Sequence, residues 1–387
     1  MKVRRAHRIA LDPTDEQREQ FKRAAGTARF VWNWALAEWN RLFKSSEKPN
    51  AMDLKKRFNA VKGDEFPWVY ESPRDANARP FADLQAAFRN FFDKRAERPK
   101  FKKKGKCRDS FYVANDKFSL DGRSVRLPKI GYVKMREALR FHGKILGARV
   151  SRTADRWFLS VQVETEPTPF DAGESQAGVI GVDLGLHKLA VLSDGTTFDN
   201  PKPLRKMLRK LRRLSWRLSR KVKGSANHAK AARKLARLHA RIADIRADAL
   251  HKLTTWLVAH YRHVVIEDMH IKGMLRNGRL ARAIADVGWG EFRRQLAYKG
   301  EAAGVPVTVV SRWYPSSKTC SGCGAVKSDL TLKDRVYECA SCRLIVDRDF
   351  NAAVNLERYP GLSGESDACG HLSAGLVVVA ARCNSSG

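Results

Sequence analysis

Cys320, Cys323, Cys339 and Cys342 form a C-x-x-C…C-x-x-C pattern, with fifteen residues (324 to 338) between the pairs. Two thiols on one tight knuckle can bind a metal, and two knuckles supply the four soft ligands of a tetrahedral Zn²⁺ site. All four positions would be filled by protein, so the zinc is structural. Directly after the clip comes Asp347-Arg348-Asp349-Phe350-Asn351-Ala352-Ala353, which suggests that the zinc unit positions a carboxylate. Two more carboxylates sit in apolar runs. Asp183 interrupts Gly178-Val179-Ile180-Gly181-Val182-Asp183-Leu184-Gly185, and Glu267 ends Val264-Val265-Ile266-Glu267. A carboxylate there is costly unless it is paired or binds a cation. From a strand centre, a strand end and a helix start, Asp183, Glu267 and Asp349 can converge at one edge of a mixed sheet. Two Mg²⁺ held about 4 Å apart by such a cluster would activate water and stabilise the leaving oxygen in phosphodiester hydrolysis. Hard oxygen donors suit Mg²⁺ or Mn²⁺, as thiolates suit Zn²⁺. Alone, an Asp after a hydrophobic run is more often a strand terminator or a helix cap. Strand, strand, helix order in a basic chain points instead to an RNase H-like nuclease.

The chain is basic throughout: 387 residues carry 74 Lys and Arg against 41 Asp and Glu, a formal charge of +33. That surplus fits a polyanion better than a small metabolite, and a surface charged to this degree binds nucleic acid whatever else it does. Length allows two or three domains. No signal peptide and no run of about 18 apolar residues stands in the sequence, so no membrane span and an intracellular, cytoplasmic protein are expected. The other cysteines, Cys107, Cys369 and Cys383, are scattered, which argues against a disulfide framework.

The elements that must position these groups can be read from periodicity. Val3 to Leu11 reads as a strand, and Thr14 with Gln17 as a capping box opening a helix. Val31, Ala35, Trp39 and Leu42 recur at helical spacing as a second helix, and Phe81 to Phe92 is a third helical stretch before the basic run Lys100 to Lys104. Their aromatics read as core. Trp157, Leu159, Val161 and Val163 alternate as a half-buried strand, Asp121-Gly122 and Ala154-Asp155 as hairpin turns, and Arg126 to Met135 as a further strand. The economical reading is a small antiparallel barrel that the first strand joins, with the helical module as an insertion. A linker follows at Pro167-Thr168-Pro169 and Asp171 to Gln176. After the Asp183 strand and a hairpin at Asp194-Gly195, Leu204, Met207, Leu208, Leu211, Leu214 and Leu218 mark one face of a helix. Arg205, Arg209, Arg212, Arg213, Arg217 and Arg220 stud its other faces. Gly224-Ser225 breaks it, and Leu235 to Ala249 return as a second helix. Charge of nearly one sign points to phosphate contacts. Beyond Tyr359-Pro360 the Gly- and Ser-rich tail reads as poorly ordered.

Gly181-Val182-Asp183-Leu184-Gly185, Ile266-Glu267-Asp268-Met269 and Asp347 to Ala353 resemble the three RuvC motifs of the TnpB family. These are transposon-encoded RNA-guided DNA endonucleases related to type V CRISPR effectors. Leu280 to Trp289, Tyr314-Pro315-Ser316-Ser317-Lys318-Thr319-Cys320 and Ala28 to Ala35 add to the likeness. It runs from about residue 3 to 357 and is most specific from 178 onward. The resemblance implies a multidomain α+β and α/β protein. A wedge-type β-barrel (1–14 and 105–170) would carry an inserted helical recognition lobe (15–104). A RuvC nuclease would follow (177–314 and 346–358, with the basic hairpin at 203–259), interrupted by a zinc-ribbon target-nucleic-acid-binding domain (315–345), and then a tail (359–387). It implies catalysis and Mg²⁺ binding by Asp183, Glu267 and Asp349; the carboxylate two before Asn351 is chosen over Asp347. It also implies a guide RNA from the transposon end and a double-stranded DNA target with a short adjacent motif. A miniature CRISPR effector and a nuclease-silent RNA-guided repressor are the alternatives, the latter disfavoured by the intact carboxylates.

Overall fold

In a computed structural model of the chain, residues 2–166, 177–331 and 333–362 are described in full, and 376–379 by their backbone. They fall into two compact units, Met1–Glu166 and Pro167–Gly387. The expected linker at 167–176 lies outside the described residues. Among the described residues no helix is long and apolar enough to cross a membrane.

The first unit begins with β1 (Val3–Asp12), followed by α1 (Asp15–Lys44), α2 (Ala51–Glu65) and α3 (Arg74–Phe92). Thr14 caps α1 as its spacing suggests: the Gln17 N–H donates to Thr14 Oγ1 at 3.3 Å and the Thr14 N–H to Gln17 Oε1 at 3.0 Å. The two helices expected before residue 45 are one. Only Gly26 weakens the helix between them, and Ala24 and Ala25 beside it are strong helix formers. Pro80 lies inside α3, which starts at Arg74 and not at Phe81. The aromatics of these helices do pack as core. Trp39 stacks on Phe88 at 4.2 Å between centroids, among buried Leu42, Leu54, Phe58 and Phe81.

Strands β2 (Ser110–Ala114), β3 (Ser119–Asp121), β4 (Ser124–Leu127), β5 (Gly131–Met135), β6 (Lys144–Thr153) and β7 (Arg156–Thr165) complete an antiparallel sheet ordered β2-β6-β7-β1-β5-β4-β3. β1 lies along β7 from Val3↔Thr165 to Leu11↔Trp157. The strand expected over Arg126 to Met135 is two strands. Pro128 cannot donate to a ladder, and Lys129 and Gly131 turn the chain at φ 63° and 84° so that Val125 pairs with Val133.

The second unit holds a sheet ordered β10-β9-β8-β11-β12-β15. β8 (Ala177–Asp183), β9 (Lys188–Leu192) and β10 (Thr197–Asp199) run as an antiparallel meander. β11 (Tyr261–Glu267) lies parallel to both β8 and β12 (Val307–Val310), and β12 parallel to β15 (Leu376–Val379). Thus part of the tail that reads as poorly ordered forms an edge strand, register Val307↔Leu376; most of the rest lies outside the described residues. Between the strands come α4 (Pro203–Ser219), α5 (Ala226–His260), α6 (Ile271–Met274), α7 (Ala281–Val287) and α8 (Trp289–Ala303). After β12 come the ribbon β13 (Val336–Glu338) and β14 (Ile345–Asp347), then α9 (Arg348–Glu357). Strand side chains alternate between faces. Ile180, Val182, Val264 and Ile266 pack with Leu253 and Leu257 of α5 and Phe292 of α8, whereas Val265 and Val310 pack with Leu356 of α9. The site-bearing strands are thus covered on both faces, which is why they read as continuous apolar runs.

Candidate active site and metal clip

Asp183 and Glu267 are the last residues of β8 and β11, two parallel strands in the register Val265↔Gly181 and Ile266↔Val182. One step further places the two carboxylates side by side. By alternation they share the face of Gly181 and Val265, the face that α9 covers. Gly181 makes that cover possible: a Cβ there would lie 1.9 Å from the carbonyl oxygen of Ala353 and 2.6 Å from the Glu357 nitrogen, both helix backbone. α9 therefore presses on β8, and its first turn brings Asp349 to the strand ends. A Cβ on Gly185 would stand 3.9 Å from Asp349 Oδ2.

The electrostatics follow from this crowding. Asp183 and Glu267 keep partial solvent access, yet burial followed by repulsion from Asp349 and Glu267 pushes Asp183 up to about 8, against the pull of Arg348. Burial and then Asp268 push Glu267 up to about 7, against Arg312. Among the described residues neither group forms a salt bridge. The nearby cations are taken: Arg348 pairs with Asp349 at 3.1 Å, and Arg293 at 2.7 Å and Arg312 both pair with Asp268. A buried, mutually repelling set of oxygen donors is what a divalent cation relieves. The three do not close into a cage around one ion; among the described residues only the four cysteines have ligand atoms all within 4.8 Å of one another.

Asp347 is otherwise engaged. Its Oδ1 accepts the Asp349 and Phe350 N–H groups at 2.9 and 3.0 Å, capping α9.

The cysteines come together from two knuckles. Cys320 and Cys342 sulfurs are 3.6 Å apart, and so are those of Cys323 and Cys339. A tetrahedron with Zn–S of about 2.3 Å needs S···S separations of about 3.8 Å, so the set fits zinc as it stands. Backbone N–H groups of Gly322 and Cys342 point at Cys320 and Cys339 sulfurs at 3.4 and 3.5 Å. Four thiolates this close cannot coexist without a cation. The Cys342 N–H helps lower Cys339 to about 6, whereas Cys342, despite a backbone hydrogen bond at Leu344 that favours its thiolate, is held up to about 12 among its neighbouring sulfurs.

Three residues that periodicity does not single out join this clip to α9. Asn351, fully buried, donates from Nδ2 to the Thr319 carbonyl at 2.7 Å and accepts the Ser321 N–H at 2.9 Å. Asn355 donates to the carbonyls of Ser316 and Thr319 at 2.7 and 2.6 Å, and Arg358 to that of Ser321 at 2.8 Å. The one local signal was two asparagines at i and i+4 in a helix otherwise apolar on that side.

Arg205, Arg209, Arg212, Arg213, Arg217 and Arg220 are exposed along α4 and just past it, and among the described residues none forms a salt bridge. Pro203 opens α4 after Lys202 in the left-handed region (φ 45°), with no cap of its own. Asp286 on α7 supplies one, accepting the Leu204 and Arg205 N–H groups at 3.0 and 3.1 Å while Arg246 of α5 braces it at 3.3 Å. Sequence spacing shows no such cap, because it comes from 81 and 82 residues away in the chain.

Residues 159–278 match the family described as "Probable transposase", 289–356 the "Cas12f1-like, TNB domain" and 1–48 a "Helix-turn-helix domain", although residues 2–48 here hold one strand and one unbroken helix. The chain is 37% identical over 374 residues to a Streptomyces pristinaespiralis protein named "Putative RNA-guided DNA endonuclease", covering 95% of this chain and 91% of that one. It is 36% identical over 375 residues to "Putative RNA-guided DNA endonuclease InsQ" of Escherichia coli K12, covering 92% of each. The protein in a solved Cas12f1–sgRNA–target DNA complex shares the fold at a TM-score of 0.57 and 12% identity, over 89% of this chain and 83% of that one.

Proposed function

The chain belongs to the TnpB family, and from that premise we propose that it is an RNA-guided DNA endonuclease encoded by a transposable element, cutting target DNA at Asp183, Glu267 and Asp349. The observation that carries this is the meeting of three carboxylates at two parallel strand ends and a helix start, with Asp183 and Glu267 pushed up by burial and repulsion. The strand order, a three-strand antiparallel meander whose β8 is followed by parallel β11 and β12 with β15 at the edge, supports an RNase H-like, RuvC-type core.

In this reading Asp183, Glu267 and Asp349 would hold two Mg²⁺ or Mn²⁺, and the ions would supply the charge that activates water and stabilises the leaving oxygen. Arg348 steadies Asp349 from 3.1 Å, and Arg293 and Arg312 keep Asp268 out of the site. Asp347 does not compete, being committed to the helix cap. Cys320, Cys323, Cys339 and Cys342 hold one structural Zn²⁺ in the target-nucleic-acid-binding domain. The sheet of the first unit serves as the wedge and its helices as the recognition lobe, binding a guide RNA from the transposon end. The DNA target would be double-stranded with a short adjacent motif beside it.

The test is to sequence RNA that co-purifies with the protein and challenge the complex with matching duplex DNA and Mg²⁺. Cleavage is expected for the wild type, while Asp183→Ala retains RNA and target binding and loses cutting by about a thousandfold or more. Cutting by Asp183→Ala at the wild-type rate would overturn the assignment.

A further inference from the structure

We infer that the zinc clip and the carboxylate site are one coupled unit, in which Asn351 and Asn355 carry zinc occupancy to the position of Asp349 and so set the affinity for the divalent cation. This rests on the nuclease reading of the carboxylates.

The geometry is direct. Asn351 bridges Thr319 and Ser321, the two residues on either side of Cys320, with one bond to each at 2.7 and 2.9 Å. Asn355 takes a second hold on Thr319 at 2.6 Å, and the Tyr314 hydroxyl reaches down to the Asn355 carbonyl at 3.2 Å. The first knuckle is therefore fastened to α9 over its full approach, and Asn351 stands two residues beyond Asp349 on the same helix.

The second knuckle grips the same helix start from the other side. Cys339 follows β13, whose Val336 pairs with Asp347 across the ribbon. Asp347 caps α9, and the Arg348 N–H donates to the Arg335 carbonyl at 2.9 Å. Joining the cysteines through one ion thus clamps residues 347–351 between two fixed loops. Without the ion nothing joins the two sulfur pairs, each 3.6 Å apart, and the two loops are no longer held to each other through the metal.

A buried amide with both its donor and acceptor satisfied is a specific connection, costly to leave half-made. Asn351 and Asn355 touch neither the cations nor the reacting atoms; they are positioning residues. Coupling between two binding sites is reciprocal, so divalent cation at the carboxylates must in turn retain zinc in the clip.

The experiment uses the full chain with its co-purified RNA. Mn²⁺ affinity is measured by electron paramagnetic resonance, with and without zinc. Zinc release to a chromogenic chelator is timed with and without Mg²⁺. In the wild type, zinc removal should weaken Mn²⁺ binding roughly 5- to 150-fold, and Mg²⁺ should slow zinc release. Asn351→Ala should keep one zinc per chain and its RNA, bind Mn²⁺ more weakly and lose the effect of Mg²⁺ on zinc release. Its cutting should recover as Mn²⁺ is raised, which a general loss of folding would not allow. Asn355→Ala should show a smaller version of the same pattern, and it decides the matter if Asn351→Ala does not fold. Unchanged Mn²⁺ affinity after zinc removal and in the folded variants, in a protein that cuts, would overturn the coupling alone. If wild type neither binds Mn²⁺ at these carboxylates nor cuts, the nuclease reading itself fails.

Discussion

At the scale of single residues, Asp183 and Glu267 are held against their chemistry. Each has a folded-state pKa above its ordinary carboxylate value, at about 8 and about 7. As pH rises the unfolded chain therefore gives up these protons first, and the metal-free fold loses stability from about pH 4 until the folded groups have ionised near pH 8. A tenfold change in an ionisation constant is about 1.4 kcal/mol, and the two groups titrate as a pair, so their effects do not add. Asp183→Asn removes the conflict. Metal-free Asp183→Asn should be more stable than wild type at pH 8 by at least about 1 kcal/mol and nearly equal to it near pH 4, with cutting lost. Mg²⁺ should raise the wild type's melting temperature at pH 8 and do little at pH 5. Thermal melts at the two pH values, with and without Mg²⁺, check this; a variant no more stable at pH 8 would show that the carboxylates are better solvated than their neighbours suggest.

At the scale of elements, the site depends on how closely α9 can approach β8. Gly181 is the residue that permits it, since a Cβ would meet helix backbone at 1.9 Å, and backbone cannot rotate aside as a side-chain tip can. Gly181→Ala must push α9 outward or bend β8. Overpacking of this kind costs about 1–3 kcal/mol. Cutting should fall much further than stability, because Asp349 moves with the helix and a displacement of about 1 Å at a reacting centre can cost about a hundredfold. Denaturant midpoints set beside cleavage rates would separate the two effects. Full activity in a destabilised Gly181→Ala would mean that α9 yields elsewhere than at Asp349. The same logic of close approach explains why Asp286 caps α4 from another helix: Lys202 in the left-handed region leaves the first amides of α4 without a local acceptor.

At the scale of the whole molecule, a charge of +33 must find anionic partners, and the exposed arginines of α4 are its clearest concentration. With no salt bridge among the described residues to neutralise them, they are free to meet phosphates. Arg209, Arg213 and Arg217 changed together to Gln should weaken binding of guide–target duplex across unrelated sequences. The salt dependence should flatten by up to about one unit of slope for each phosphate no longer neutralised. Helix propensity barely changes with Gln, so the fold should persist. Affinity titrations over a salt series are the measurement. Unchanged affinity and slope would make this face a solvated surface only.

Much of this was legible in the sequence because it depends on neighbours in the chain. The cysteine spacing, the Thr14 capping box, the apolar runs interrupted by Asp183 and Glu267, and the leucine stripe of α4 are patterns that local geometry reads directly. What only the tertiary structure decided are interactions with no period. That Val125 pairs with Val133 across the turn at Pro128, and that Val3 to Leu11 lies along β7 some 150 residues away, is settled by the fold. The resemblance selects Asp349 over Asp347 from the sequence, but that Asp347 is spent on capping α9 is seen only in the fold. Asn351 and Asn355 look like weak helix residues until their amides meet Thr319 and Ser321, some 30 residues earlier. Hydrogen bonds between distant segments leave no periodic trace, because their partners are chosen by the fold and not by the spacing along the chain.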